Sequence, residues 1–266
     1  MQSSRMRKGI FIVLAAVVVL TVASAGCFDN IEFLPNEVQN RGSIIAVDSA
    51  YIGSSTVVDL LLTPTKYQEE LFTALDNYLP KDKPVVDLEA GIGVAMANIS
   101  KELNVPKETV TLTSNPYMIP LLAKTIEWNK IVTDLRYEVV SYIVSPGETV
   151  PVVVRKNLDA TDVMNSDTEE TVDVSATTVG TIISKAGFTD SKNVTLVIED
   201  ANLLDRVLER EPTIKNNVSI IIAVTSASGL ELSQMLNKAL RNGYTPEMVG
   251  DPGSNNCRAL VFRRIE

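Results

Sequence analysis

The chain has 266 residues, 45% of them hydrophobic, and a formal net charge of −9. An acidic chain of this kind disfavours nucleic acid and anionic lipid as partners. Histidine is absent, which excludes Ser-His-Asp and Cys-His catalysis, histidine metal sites and histidine pH switches. The two cysteines, Cys27 and Cys257, lack zinc-site spacing, so we expect neither a metal site nor a structural disulfide.

The first 26 residues carry the pattern of a membrane anchor. Residues 1–8 form a basic segment with Arg5, Arg7 and Lys8, and residues 9–26 are apolar. The apolar run is near the lower length limit for a membrane-spanning helix, roughly 17 to 25 residues. Because acidic residues follow it, the positive-inside rule predicts a single-pass anchor with the N-terminus in the cytoplasm. The remaining chain would then be extracytoplasmic, and its formal charge without the leader would be −12.

Two alternatives for this segment remain open at the sequence level. Ala23-Ser24-Ala25 has the small-x-small pattern of a cleaved secretory signal. Ser24-Ala25-Gly26-Cys27 resembles a lipoprotein processing box, which would make Cys27 a lipidation site. In all three cases residues 27–42 read as a polar tether, and residues 43–266 are long enough for one α/β domain with a full core.

Within that domain, helical and strand patterns alternate along the chain. The apolar run at 85–88 is bounded by Pro84 and by glycines, which indicates a short buried strand followed by a turn. Further strands are predicted at 108–113, 135–143, 149–154, 194–199, 218–224, 244–249 and 258–264. Helices are predicted at 67–78, 94–103, 117–129, 178–185 and 230–242, and 157–171 is predicted to be an exposed insertion. Helix-separated strands predict a mostly parallel sheet with a C-terminal antiparallel hairpin.

A buried strand, a glycine turn and a helix N-terminus, as predicted at 83–103, commonly form the binding site of a nucleotide-like cofactor. Glycine lets the backbone approach a ligand, and unpaired N–H groups at the helix start face it. The sequence Val85-Val-Asp-Leu-Glu-Ala-Gly-Ile-Gly93 resembles the first motif of class I S-adenosylmethionine-dependent methyltransferases, especially the FkbM-like group. Asp87, Ala90, Gly91 and Gly93 fit that motif. Glu89 stands where the family has its first glycine, and there it would crowd and repel the carboxylate end of the cofactor.

The resemblance continues at the next strand, with a second departure. Val110-Thr-Leu-Thr-Ser-Asn-Pro116 keeps the frame of the family, but Thr113 replaces the acidic residue at the strand end. That carboxylate would accept hydrogen bonds from the ribose hydroxyls of the cofactor. The resemblance therefore implies cofactor contacts at Asp87, Glu89, Ala90, Gly91, Gly93, Thr113 and Asn115.

After the strand at 194–199 most of the polar residues of the family are replaced. Glu199 and Asp200 are the best remaining candidates for a general base. Two hypotheses follow. One is an active methyltransferase that binds S-adenosylmethionine and acts on a hydroxyl of a small molecule, glycan or lipid-linked acceptor. The other, which the motif departures and the predicted topology favour, is a catalytically silent binding or structural module at the cell surface, with a surface protein or glycan as partner and no metal.

Three triplets, at Asn98, Asn193 and Asn217, match the N-glycosylation pattern. Only an exported domain could use them. Whether they carry glycans stays a prediction.

Overall fold

The computed structural model describes residues 36–48, 52, 60, 68–104, 108–155, 169–189, 193–225, 227–249 and 258–265. The predicted basic segment and anchor, most of the predicted tether, and both cysteines lie outside these residues. Within the described ranges, none of the helices has the length and apolar character needed to cross a membrane. Asn36–Glu266 form one compact unit.

Twelve strands and seven helices make up the described part of this unit. The strands are β1 Glu37–Asn40, β2 Ser43–Ala46, β3 Val85–Leu88, β4 Thr109–Thr113, β5 Asp134–Tyr137, β6 Val139–Val140, β7 Thr149–Arg155, β8 Glu169–Thr177, β9 Val194–Ile198, β10 Val218–Thr225, β11 Tyr244–Val249 and β12 Arg258–Arg264. The helices are α1 Glu69–Tyr78, α2 Val94–Glu102, α3 Met118–Asn129, α4 Val179–Lys185, α5 Ala201–Arg210, α6 Ile214–Asn217 and α7 Gly229–Arg241.

Seven strands form the main sheet, in the order β11-β12-β10-β9-β3-β4-β5. The neighbouring pairs from β10 to β5 are all parallel, whereas β12 runs antiparallel to both β10 and β11. A mostly parallel sheet with one antiparallel strand near its edge is the arrangement that the sequence predicts. The fold is therefore a Rossmann-like, methyltransferase-like α/β fold, with β3 inside the sheet and its carboxyl end opening onto the glycine turn.

The two faces of the main sheet differ in character because side chains alternate along each strand. One face carries the apolar side chains of the inner strands, such as Val86, Leu88 and Leu196, and packs against α4, α5 and α7 in one buried cluster. Asp87 alternates with Val86 and Leu88 and so points to the opposite face, where Thr109, Thr111 and Thr195 are also buried. The polar residues of the inner strands are thus collected on one side.

Two elements differ from the sequence prediction. The strand predicted at 135–143 ends at Tyr137 in the main sheet, and Val139–Val140 pair with β8 instead. After leaving the main sheet the chain buries Val140 in the same apolar cluster as α4, α5 and α7. The predicted insertion at 157–171 is shorter at its end, since Glu169–Thr171 already pair with β7 in a small sheet of order β6-β8-β7. Its residues up to 168 lie outside the described ranges.

The hairpin of β1 and β2 begins inside the stretch 27–42 that the sequence predicts as a tether. Val38 and Asn40 are buried, and the side chain of Asn129 on α3 holds the backbone of Ile44 through two hydrogen bonds, of 2.9 and 2.6 Å. This hairpin is thereby joined to the α2 and α3 side of the sheet.

The three predicted glycosylation triplets occupy different environments. Asn193 is exposed just before β9. The side-chain amide of Asn98 donates to the carbonyl of Val94 within α2 at 2.8 Å, and that of Asn217 donates to the carbonyl of Thr189 at 2.9 Å. Asn193 is accordingly the most accessible of the three acceptors.

Candidate functional site

The turn after β3 contains three residues with unusual backbone conformations. Glu89, Gly91 and Gly93 all have positive φ, of 58°, 49° and 84°. Glycine adopts this region without cost, but a glutamate there is strained by about 1 kcal/mol or more. Position 89, where the resembled family has its first glycine, therefore has the backbone conformation of a glycine in this chain, although the residue there is a glutamate.

The side chain of Glu89 is fixed against the end of β4. Its Oε2 accepts hydrogen bonds from the backbone N–H of Ser114 at 3.1 Å and from the Ser114 hydroxyl at 2.9 Å. Burial raises the pKa of Glu89 above its ordinary value, while the two bonds from Ser114 oppose that shift. The carboxylate of Glu89 thus lies beside Ser114, at the end of the neighbouring strand, and its repulsion of the carboxylate end of a cofactor stays a prediction.

Six of the residues predicted from the sequence line one cleft at the carboxyl edge of β3, β4 and β9. The cleft has a volume of about 330 Å³, and Ser114, Met118, Val153 and Val154 complete its lining. The predicted residues that line it are Glu89, Gly91, Thr113, Asn115, Glu199 and Asp200. The fold thus brings both general-base candidates and four of the cofactor-contact candidates to one place.

The other three predicted contacts do not line the cleft. Ala90 is fully buried, and its N–H donates to the carbonyl of Leu112 at 3.1 Å. At Gly93 a Cβ atom would lie 2.7 Å from Cδ2 of Leu122, so this glycine allows the turn to pack closely on α3. Asp87 is 0% exposed. Gly93 and Ala90 are therefore explained by packing without any ligand.

Two of the lining residues have structural roles that use their polar atoms. The Thr113 hydroxyl accepts from the N–H of Asn115 at 3.2 Å, and Oδ1 of Asn115 accepts from the N–H of Tyr117 at 3.0 Å, which begins the turn into α3. Asp200 caps α5, because its Oδ1 accepts from the N–H of Asn202 at 2.8 Å. Asp200 is accordingly less suited to be a free general base than Glu199.

Glu199 is the titratable group with the strongest functional character in the cleft. Burial raises the pKa of Glu199 to about 7, and the neighbouring Glu89 carboxylate adds to the shift. Its Oε2 accepts a hydrogen bond from the Gln68 side chain at 3.2 Å. Burial also raises the pKa of Asp87, with the charge of Glu199 as a second cause. A carboxyl group that titrates near neutral pH is suited to proton transfer or to binding a cation.

Sequence reasoning missed five residues of the site. Gln68 lies 131 residues before Glu199, and Val153 and Val154 come from the β7 strand of the small sheet; no local pattern connects these positions with the cleft. Ser114 and Met118 were detectable, because they directly follow a predicted strand end and begin a predicted helix.

A residue set able to hold a metal is not found in the described ranges: they contain no group of three or more His, Cys, Asp or Glu side chains in a suitable arrangement. The expected absence of a metal site stays a prediction for the chain as a whole.

Comparisons with known proteins give a fold likeness at low identity. No protein-family model matches the chain, and no curated protein matches it. Among solved structures it is similar to the precorrin-6y C5,15-methyltransferase of Geobacter metallireducens, with 12% identity, a TM-score of 0.44, and coverage of 75% of this chain and 90% of that one.

It is also similar to the ribosomal protein L11 methylase of Lactobacillus delbrueckii subsp. bulgaricus, with 10% identity, a TM-score of 0.45 and coverage of 74% and 78%. A third similar structure is M. jannaschii TYW2 in complex with AdoMet, with 14% identity, a TM-score of 0.44 and coverage of 87% and 88%. At such low identities the chemistry of this chain rests on its own residues.

Proposed function

We propose that this chain is a catalytically silent binding module that keeps a methyltransferase-like fold without useful binding of S-adenosylmethionine. The observation that carries the proposal is the position of Glu89. Its side chain replaces a glycine hydrogen in the cleft and is held there by two hydrogen bonds from Ser114. A ligand that approached the turn as in the resembled family would have to displace it.

Displacing Glu89 has an energetic cost that can be bounded. Each hydrogen bond to a charged group contributes about 1.5 to 3 kcal/mol, so moving the carboxylate costs about 3 to 6 kcal/mol before any contact is regained. Since each 1.4 kcal/mol is a factor of ten, affinity falls by about a hundred- to ten-thousandfold. Thr113 adds to this loss, because its hydroxyl is already used by Asn115.

One observation favours S-adenosylmethionine binding as the second candidate. Glu89 brings a carboxylate to the end of β4, beside the Thr113 position at which the resemblance expects an acidic residue. In that alternative the Glu89 carboxylate accepts hydrogen bonds from the ribose hydroxyls, and Glu199 is the general base for a hydroxyl acceptor.

The test is calorimetry with S-adenosylmethionine and its demethylated product on the full chain. We compare the wild type with Glu89→Gly and with Glu89→Gly/Thr113→Glu, and use Lys130→Gly as the matched control. Lys130 also has positive φ, of 55°, but it caps the far end of α3. We expect no micromolar binding by the wild type or the control, and a gain of about a hundredfold or more in the double variant.

Micromolar binding by the wild type would contradict the silent module. If Glu89→Gly then weakens binding, the second candidate is supported, because Glu89 contributes a contact. If Glu89→Gly strengthens it, Glu89 is an obstacle that the cofactor tolerates.

We further propose that the domain lies on the outer side of a membrane, held by the apolar segment 9–26, and meets a surface protein or glycan there. The basic residues before the segment support this topology. S-adenosylmethionine is a cytoplasmic metabolite, so an extracytoplasmic location agrees with a silent cleft.

A further inference from the structure

A second cavity lies apart from the cleft, between α4, the C-terminal end of α5 and the loop that leads to α6. Its volume is about 490 Å³, within the range of small-molecule sites, about 300 to 1,000 Å³. None of the described residues that line it also lines the cleft at the end of β3. A ligand in this cavity would therefore leave the cofactor space free.

Helix α4 presents a row of hydroxyl groups to this cavity. Thr178, Thr181 and Ser184 follow one another at intervals of three residues, so they share one face of the helix, and all three line the cavity. The opposite face, which includes Val179 and Ile182, belongs to the buried apolar cluster. The row extends for about 9 Å along the helix axis, which suits a ring with several hydroxyl substituents better than a single small ion.

The carboxylate of the cavity is already satisfied by the protein. Glu211 is the one acidic residue among the described residues that line the cavity, and it is 5% exposed. It accepts hydrogen bonds from the N–H groups of Gly180 and Thr213 and from the hydroxyl of Tyr142. Glu211 thus forms a fixed part of the wall, and the N–H at the start of α4 is not available to a ligand.

Two cations remain at the rim of the cavity. Lys185 and Arg210 both line it and are both exposed. Lys185 pairs with Glu138 at 3.3 Å, but the lysine side chain is 56% exposed, and an ion pair in contact with water is weak enough for a ligand anion to replace it. Two cations beside a satisfied carboxylate favour an anionic ligand, although the chain as a whole is acidic.

The combination of hydroxyls and cations defines the class of ligand. A hydroxyl group both donates and accepts, as the hydroxyls of a sugar do, and lysine and arginine bind carboxylates through charge-assisted hydrogen bonds. We propose that this cavity binds a sugar acid, such as a uronic acid of a glycan, with its carboxylate on Lys185 and Arg210. The sugar hydroxyls then contact Thr181, Ser184 and Thr213. The inference deepens the proposed contact with a surface glycan and rests on it for the location of the site outside a membrane.

The experiment is a saturation-transfer NMR titration of the full chain with D-glucuronate at pH 7, in a detergent that carries no sugar. D-glucose, which lacks the charge, and inorganic phosphate, which lacks the ring, are the matched probes. For a ligand of this size we expect a dissociation constant of about 1 mM for glucuronate, and binding at least tenfold weaker for both probes. Absence of glucuronate binding at 20-fold excess over about 1 mM would overturn the inference. Phosphate that binds as tightly as glucuronate would overturn it as well, because the ring would then contribute nothing.

Three variants test the residues of the site. Arg210→Gln and Lys185→Gln should each weaken glucuronate binding about tenfold, and Ser184→Ala, which keeps the charge, should weaken it about threefold. All three positions are exposed, so we expect an unchanged circular dichroism spectrum. Arg241→Gln is the matched control, because Arg241 is an exposed arginine on α7 that does not line the cavity. Equal binding by the wild type and all three site variants would place the sugar elsewhere and refute the site.

A separate titration with S-adenosylmethionine distinguishes this inference from the proposed function. If the wild type binds neither ligand, the silent module stands and the sugar-acid site fails. If it binds both without competition, the sugar-acid site stands and the silent module fails.

Discussion

At the scale of single residues, the cleft is dominated by carboxyl groups that the fold holds away from water. Asp87, Glu89 and Glu199 all have raised pKa values, with burial as the largest cause in each case. A raised pKa means that the folded chain binds a proton more tightly than the unfolded chain. Stability from such a group is fully present below the unfolded pKa and is lost as pH rises through the folded pKa.

For Glu199 this linkage gives a defined pH window. Its pKa rises from 4.5 to about 7, and each unit corresponds to about 1.4 kcal/mol. Glu199 is only half-buried, so water screens its charge and the effect is smaller than the full pKa shift would give. We expect this group to lower the unfolding free energy of the wild type by about 2 to 3 kcal/mol between pH 4.5 and 8. Glu199→Gln should remove that loss and unfold at higher denaturant concentration at pH 8.

Urea unfolding at pH 5, 6, 7 and 8 measures this effect, with Glu102→Gln as the exposed control. A Glu199→Gln variant that is less stable than the wild type at pH 8 would show that the carboxylate is paired, and would contradict the linkage. Asp87 and Glu89 remain in both proteins, but the charge of Glu199 also raises the pKa of Asp87, so the difference between wild type and variant reports on Glu199 together with its effect on Asp87.

At the scale of elements, Glu211 connects three parts of the chain: α4, Tyr142 after β6, and the loop between α5 and α6. The buried carboxylate of Glu211, between α5 and α6, accepts from the N–H groups of Gly180 and Thr213 at 3.3 and 3.1 Å and from the hydroxyl of Tyr142 at 3.1 Å. Burial raises the pKa of Tyr142 well above its ordinary value, and the Glu211 charge adds to it. The side chain of Glu211 thus accepts a hydrogen bond at the N-terminus of α4, where the helix dipole favours a carboxylate.

This arrangement leads to a prediction for Gly180. Alanine in place of a helical glycine usually stabilises by about 0.5 to 1 kcal/mol. At Gly180, however, a Cβ atom would lie 2.5 Å from Oγ1 of Thr213 and 3.3 Å from Oε1 of Glu211. We expect Gly180→Ala to destabilise the fold by about 1 to 3 kcal/mol through overpacking, measured by thermal or urea unfolding.

The companion variant is Gly180→Ala/Thr213→Ala, which removes the hydroxyl that the new methyl group meets and leaves the Thr213 backbone N–H in place. It should recover part of the lost stability. A single variant as stable as the wild type would mean that the loop between α5 and α6 shifts without cost.

At the scale of the whole molecule, the proposed topology gives a prediction for intact cells. Arg5, Arg7 and Lys8 precede the apolar segment, so residues after Cys27 should be outside. Protease added to intact cells should digest the domain, and a cytoplasmic protein in the same cells should survive as the control. Complete protection of the domain, while a known surface protein is cut, would reverse the assignment and favour the enzyme hypothesis.

The sequence by itself determined the strands of the main sheet and the order in which they follow one another. The apolar run at Val85–Leu88, the glycines after it and the later alternation of strands and helices are local signals, because burial and backbone freedom act over a few neighbouring residues. The strands at Tyr244–Val249 and Arg258–Arg264 were predicted at their observed bounds for the same reason. The cluster of Glu89, Thr113 and Glu199 at one sheet edge also follows from parallel strand order.

Only the tertiary structure decided what those side chains contact. Three contacts join residues that are far apart in the chain. Glu89 accepts hydrogen bonds from Ser114, Gln68 donates a hydrogen bond to Glu199, and Val153 and Val154 line the cleft. Such contacts depend on how complete elements pack, and no pattern in one segment contains that information. The sequence therefore indicated a cofactor-shaped cleft, whereas the packing determined which residues hold Glu89 and Glu199 and which residues complete the lining.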